Sequence, residues 1–380
     1  MPFLPLYFQQ LGVSDVGQIA MWSGLSLGVT PAITAMLAPF WGRLADRYGR
    51  KIMVERSLVS FVFVMGAMAF VRRPWQVFAL RALQGLFAGY GSLALAMAAD
   101  SAPRDRMAYA IGFVQTAQRL GPAVGPVVGG VVAQAFGLRL AFLVTAGFFL
   151  VAALVVLAMY DERSAPHDAT ASSSARVTFR NVLAFENFIL LLTVVFGLQF
   201  VDRSFGPVLP LYLAELGIPA GRVPLAAGVL FSIAAGAGAV GHHVCGRLLR
   251  GATVRRVIAG SAGLAALGVS VYVVAPRPWL LLLGTPVFGL AIGVATTAAY
   301  TAASSVMPGS ARGAGFGLLT TASLAGLALS PIVNGILGAT SIRAVFLLDT
   351  IGLITLAVLV SRLMIAAPLL TATAPATEEI

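Results

Sequence analysis

Long apolar stretches follow one another down almost the whole chain, separated by short polar gaps. They fall at roughly 17–41, 52–71, 75–99, 107–135, 139–160, 186–213, 222–246, 257–275, 279–306, 313–339 and 344–366. Each is on the order of 20 residues, the length of a helix that crosses a hydrocarbon layer about 30 Å thick. Lipid offers no partner to backbone N–H and C=O groups, so a spanning segment is a helix or a strand of a closed barrel. These runs are too long and too uniformly apolar for barrel strands. The expected architecture is therefore an all-α polytopic membrane protein. Only 10% of residues are charged, against about a quarter in a soluble domain.

The net charge of +11 would by itself suit a nucleic-acid partner, but the cations are distributed by topology. One set of gaps holds Arg43, Arg47, Arg50, Lys51, Arg56, Arg104, Arg106, Arg163, Arg176, Arg180, Arg247, Arg250, Arg255, Arg256, Arg312 and Arg362. The alternate set holds Arg72, Arg73, Arg139, Arg222, Arg277 and Arg343, and Arg81, Arg119 and Arg203 fall inside spans. Positive residues accumulate on the cytoplasmic side of a membrane protein. The first set, with the linker and the C-terminus, is thus expected to be cytoplasmic, in an inner (plasma) membrane, and no nucleic-acid partner is expected.

The chain repeats itself at an offset of 204 or 205 residues. "PFLPLYFQQLG" (2–12) pairs with "PVLPLYLAELG" (207–217), and "GRLADRYGRK" (42–51) with the weaker "GRLLRGATVR" (246–255). "RPWQVFALRALQGLFAG" (73–89) pairs with "RPWLLLLGTPVFGLAIG" (277–293), and "GPAVGPVVGG" (121–130) with "GLALSPIVNG" (326–335). Several matches in order at one offset mark a duplication. Two pseudo-symmetric bundles of six helices are expected, at 1–160 and 186–366. Residues 161–185 form a polar cytoplasmic linker whose second part has amphipathic character, and 367–380 a disordered tail. In the second half about 20 apolar residues precede Pro207, whereas only Met1 precedes Pro2. The first helix is therefore expected to be incomplete, leaving about 11 full spans, with the start assigned too far downstream.

Three segments carry chemistry beyond hydropathy. Gly42, Leu44, Asp46, Arg47, Gly49, Arg50 and Lys51 make a tight, cationic loop, with the glycines allowing a sharp turn. Gly121, Gly125 and Gly129 recur every four residues beside Pro122, Pro126 and Gly130, giving a strip where another backbone can approach. "RALQG" places Arg81, Gln84 and Gly85 on one face of a span. Together these resemble the signatures of the major facilitator superfamily, in its drug:proton antiporter branch. The resemblance implies alternating access, a loop that latches the halves in the outward-facing state, a glycine motif typical of exporters, and a role for Arg81 in proton coupling.

An arginine inside a span costs about 2.5–3.5 kcal/mol on insertion scales, so it should face a cavity or a partner. Arg81 either serves coupling or snorkels to the outer surface. Arg119, with Gln115 a turn before it, either lines the cavity or pairs with a structural carboxylate. Gln199, Asp202 and Arg203 sit deep in an apolar span. Asp202 is either a proton carrier, since low dielectric favours the neutral carboxyl, or half of a self-neutralising pair with Arg203. Asp349, nearer a helix end, is a weaker candidate. Trp22, Gln84, Gln115, Gln199, Phe200, Tyr212 and Tyr300 are the candidate cavity residues.

The single cysteine, Cys245, allows neither an intramolecular disulfide nor a metal site, and no nucleotide loop or nucleophile–base grouping is present. No enzyme activity, cofactor or metal is expected, and the energy source should be an ion gradient. The expected function is proton-coupled efflux of small hydrophobic or cationic compounds by a monomer. Its rivals are a sugar or metabolite exporter or symporter of the same fold, and a non-transporting scaffold or sensor.

Overall fold

A computed structural model describes residues 3–89, 93, 94, 97, 107–160, 185–307 and 312–365. Most of the linker, the C-terminal tail, and the side-chain surroundings of Gly42, Asp46, Gln115 and Arg119 lie outside the described residues. Twelve α-helices are described: α1 Leu4–Gln10, α2 Val16–Tyr48, α3 Arg50–Met68, α4 Pro74–Phe87, α5 Met107–Phe136 and α6 Leu138–Met159. They continue with α7 Phe188–Glu215, α8 Val223–Gly251, α9 Val254–Val274, α10 Leu281–Val306, α11 Arg312–Thr340 and α12 Ile342–Leu363. No strand is present among the described residues.

Local chemistry sets the turns. Asp15 accepts from the Gln18 N–H at the start of α2, and Thr253 and Ser341 do the same for α9 and α12. Gly49 separates α2 from α3 with φ of 96°, a conformation that Cβ-bearing residues rarely adopt. Gly12 and Gly217, which match in the repeat, share φ values of 90° and 87° just beyond α1 and α7.

Among the described residues, eight segments, lying in α2 and α6–α12, are both long and apolar enough to cross a membrane. The sequence reading expects 11. α1 has 7 residues and α4 has 14. α3 opens on Arg50, Lys51, Glu55 and Arg56, and α5 contributes only a shorter apolar segment, Leu120–Phe136.

Helix partners recur between the halves. α2 packs on α4 as α8 packs on α10, and α3 meets α6 as α9 meets α12. Across the halves, α2 lies along α11 and α5 along α8. Both contacts are made through glycine, where two backbones approach without intervening side chains. Gly24 faces Pro331 and Gly335, Gly28 faces Ala328 and Ile332, and Gly17 faces Ala339. On the opposite side a Cβ added to Gly130 would sit 2.8 Å from the Pro224 carbonyl oxygen, and Gly228 abuts Pro126. Ser232 on α8 also accepts from the Val127 N–H at 3.2 Å. All these contacts lie toward the end of the bundle that carries the α1–α2 turn. The halves are closed there.

Candidate functional site

Between the halves lies a cavity of about 1060 Å³, whose lining runs from Arg81 and Asp202 to Pro126, Pro331, Phe3 and Leu138 at the closed end. Its walls come from both halves and are mostly apolar, with Arg81, Gln84, Gln118, Gln199, Asp202, Arg203 and His242 interrupting them. His242 is held on α8 by a 2.7 Å contact between its Nδ1 and the Thr297 hydroxyl of α10.

Arg81 sits in the middle of α4 with 7% exposure. Its Nε donates to the Ser26 carbonyl at 3.1 Å, and Nη1 donates to Gln84 Oε1 at 2.5 Å. Thr30 of α2 donates in turn to the Arg81 carbonyl at 2.7 Å. Gly85, one turn on, lies against the Thr30 backbone and lets α2 come this close. The guanidinium is therefore fixed between α2 and α4 at the cavity wall, and the snorkelling alternative does not hold. Among the described residues no carboxylate pairs with it.

Asp202 and Arg203 occupy the cavity wall on α7. Arg203 Nε lies 3.4 Å from Asp202 Oδ2, with side-chain exposures of 50% and 38%. Asp202 faces the cavity and shares its charge with the neighbouring arginine.

The buried carboxylate is Asp349 on α12, which the sequence ranks lower because it stands near a helix end. It is 1% exposed. Ser204 Oγ lies 2.5 Å from Asp349 Oδ2, while Oδ1 has no hydrogen-bond partner. Helical rotation of about 100° per residue puts Ser204 on the side of α7 opposite Asp202. Nothing in sequence spacing reveals that a residue 145 positions away completes this pair.

Of the candidate cavity residues, Gln84 and Gln199 line the wall. Trp22, Phe200 and Tyr300 pack against the hydrophobic core instead, Trp22 with its ring 6.3 Å from that of Phe8. Tyr212 is fully buried and donates to the Tyr272 carbonyl at 2.6 Å. An apolar body with one polar tip serves helix packing as well as ligand contact, so residue type alone did not separate the two.

The glycine strip divides. Gly121 and Gly125 line the cavity with no neighbour within 4 Å of an added Cβ, and Gly129 meets only the ring of Phe3. The close backbone approach expected of the strip is made instead by Gly130 and Pro126, against α8. In the cationic loop, Lys51 Nζ donates to the carbonyls of Leu157 at 3.0 Å and Tyr160 at 2.5 Å. It thereby binds the C-terminus of α6, where unpaired carbonyls and the helix dipole favour a cation. The Arg47 guanidinium lies 5.4 Å from the centre of the Tyr48 ring.

Two sets of apolar helices meet at one end around a cavity with a few fixed charges. Residues 1–253 match the family model described as Major Facilitator Superfamily, and the chain belongs to that family. It is 35% identical over 233 residues to the Multidrug resistance protein MdtG of Serratia proteamaculans, covering 61% of this chain and 57% of that protein. A second protein of that name, from Enterobacter lignolyticus, is 32% identical over 316 residues, 80% of this chain and 74% of that one. The Multi-drug resistance efflux pump PmrA homolog of Lactococcus lactis is 33% identical over 248 residues, 65% and 61% of the respective chains. The chain thus spans less than two thirds of the length of the first relatives it matches. Among solved structures, a bacterial homolog of the human lysosomal transporter Spinster, in its inward-facing and occupied conformation, superposes with a TM-score of 0.78. That match is 16% identical and covers 95% of this chain and 92% of the other.

Proposed function

We propose that the chain is a secondary active transporter of the inner membrane that exports small apolar or cationic compounds in exchange for protons. Two bundles of six helices rock about the cavity and expose it alternately to each side. Matching helix partners in the two halves support that division. The charge bias assigns the closed end to the outside, so this conformation faces inward. The cationic loop, with Asp46, Arg47, Arg50 and Lys51, is the latch of the opposite state, and a monomer is the working unit.

One observation carries the reading: fixed polar groups, Arg81, Gln84, Asp202 and Arg203, are gathered in an otherwise apolar cavity between two halves closed at one end. A scaffold would have no use for charges whose burial is costly. Inside-out vesicles with an imposed pH gradient and a fluorescent lipophilic cation test it. Accumulation that collapses with the gradient is expected, and accumulation indifferent to the gradient would sink proton exchange.

A second reading, export of a specific polar metabolite, is favoured by Arg81. It lacks a carboxylate partner among the described residues, leaving the cavity a fixed cation. Displacement of the lipophilic cation by small anions, but not by other cations, would decide for it.

A further inference from the structure

Asp349 lies outside the cavity lining and is 1% exposed, and only one of its carboxyl oxygens has a hydrogen-bond partner. Ser204 Oγ lies 2.9 Å from the Val201 carbonyl and 2.5 Å from Asp349 Oδ2. That single hydroxyl proton is shared between two acceptors, which is little compensation for a buried anion.

Among the described residues, no cation pairs with this carboxyl. α12 packs against α7, α9 and α11. On α7, Asp202 and Arg203 pair with each other at the cavity wall, and Glu215 pairs with Arg343 of α12 at 3.9 Å, at the helix ends. Tyr212 of α7 is bonded to the Tyr272 carbonyl, and the Tyr272 hydroxyl of α9 to Thr285. Arg255 and Arg256 begin α9, Arg312 begins α11 and Arg362 ends α12, all at the far end. Asp349 Oδ1 remains without a partner.

Rings of the cavity wall reach the turn of α12 that carries this carboxyl. Phe205 and Tyr272 line the cavity and contact Phe346, one turn before Asp349, at 5.4 Å and 5.1 Å between centroids. Ser204 and Asp202 sit on opposite faces of the same turn of α7, so a ligand that displaces this turn acts on both.

We propose that Asp349, with Ser204 as its hydrogen-bond partner, is the proton-carrying group of the exchange. It is loaded in this conformation, and the O–H bond breaks to give the carboxylate and a proton to cavity water when a ligand seats beside Asp202 and Arg203. The inference rests on the proton-antiport reading and names its group.

The test uses the purified full chain in liposomes with ethidium as probe, comparing wild type with Asp349→Asn and Ser204→Ala. The expected result is that Asp349→Asn loses gradient-driven accumulation while ethidium counterflow persists, which also shows that the variant is folded. Ser204→Ala shifts the pH profile of accumulation. Infrared spectra of the wild type should contain a protonated-carboxyl band that Asp349→Asn lacks and Ser204→Ala displaces. A responsive wild type with an equally responsive Asp349→Asn, or an unchanged band, overturns the role of Asp349. A wild type indifferent to the gradient overturns the antiport reading itself.

Discussion

Tyr7 donates its phenolic hydrogen to the carbonyl oxygen of Met68 at 2.5 Å, and its counterpart in the repeat, Tyr212, donates to the Tyr272 carbonyl at 2.6 Å. Met68 ends α3, and Tyr272 stands in the last turn of α9. The final carbonyls of a helix have no intrahelical donor. Each tyrosine therefore ties one helix to the open end of another, and the duplicated "LPLY" encodes a bond as well as a helix end. Replacing either tyrosine by phenylalanine strands a buried carbonyl, at a cost of about 1–3 kcal/mol. Thermal unfolding in detergent should show a loss for each.

Arg81 binds the Ser26 carbonyl and Gln84 through two different guanidinium nitrogens. Lysine has a single ammonium and does not reproduce that fork. Arg81→Lys should therefore lose most transport in the vesicle assay while keeping its expression and monodispersity. Wild-type transport by Arg81→Lys would show that charge alone suffices.

Closure of the halves depends on glycine at α2–α11 and α5–α8. A side chain at Gly24 would strike Pro331 and Gly335, and one at Gly228 would strike Pro126. Gly24→Leu and Gly228→Leu should hold that end apart. Spin labels placed across it should report longer distances than in the wild type, and unchanged distances would contradict the contact.

The Asp202–Arg203 pair is half exposed, and such pairs contribute about 0.2–1 kcal/mol. Asp202→Asn should leave the melting temperature almost unchanged while altering the preference between cationic and neutral substrates. A large loss of stability would mean the pair is structural.

Lys51 reaches the last carbonyls of α6. A cation placed there is worth about 0.3–1 kcal/mol. Lys51→Ala should lower thermal stability by that order, and Lys51→Arg should restore most of it.

Hydropathy by itself determined the class of fold, because lipid leaves a chain with this succession of apolar runs no option but helices. The repeat located matching elements: Gly12 with Gly217, and Tyr7 with Tyr212. Charge within apolar spans marked Arg81, Asp202 and Arg203, since only a cavity or a partner makes their burial tolerable. What sequence did not settle was the direction each side chain takes. Asp202 and Ser204 are two residues apart, yet one faces the cavity and the other meets Asp349 on α12. Tyr212 has the chemistry of a ligand contact and serves a helix end, and the glycine strip presents Gly121 and Gly125 to the cavity while Gly130 makes the contact. Those assignments depend on how helices far apart in the chain are rotated against one another. Packing of the complete bundle sets that rotation, and no local pattern of residues contains it.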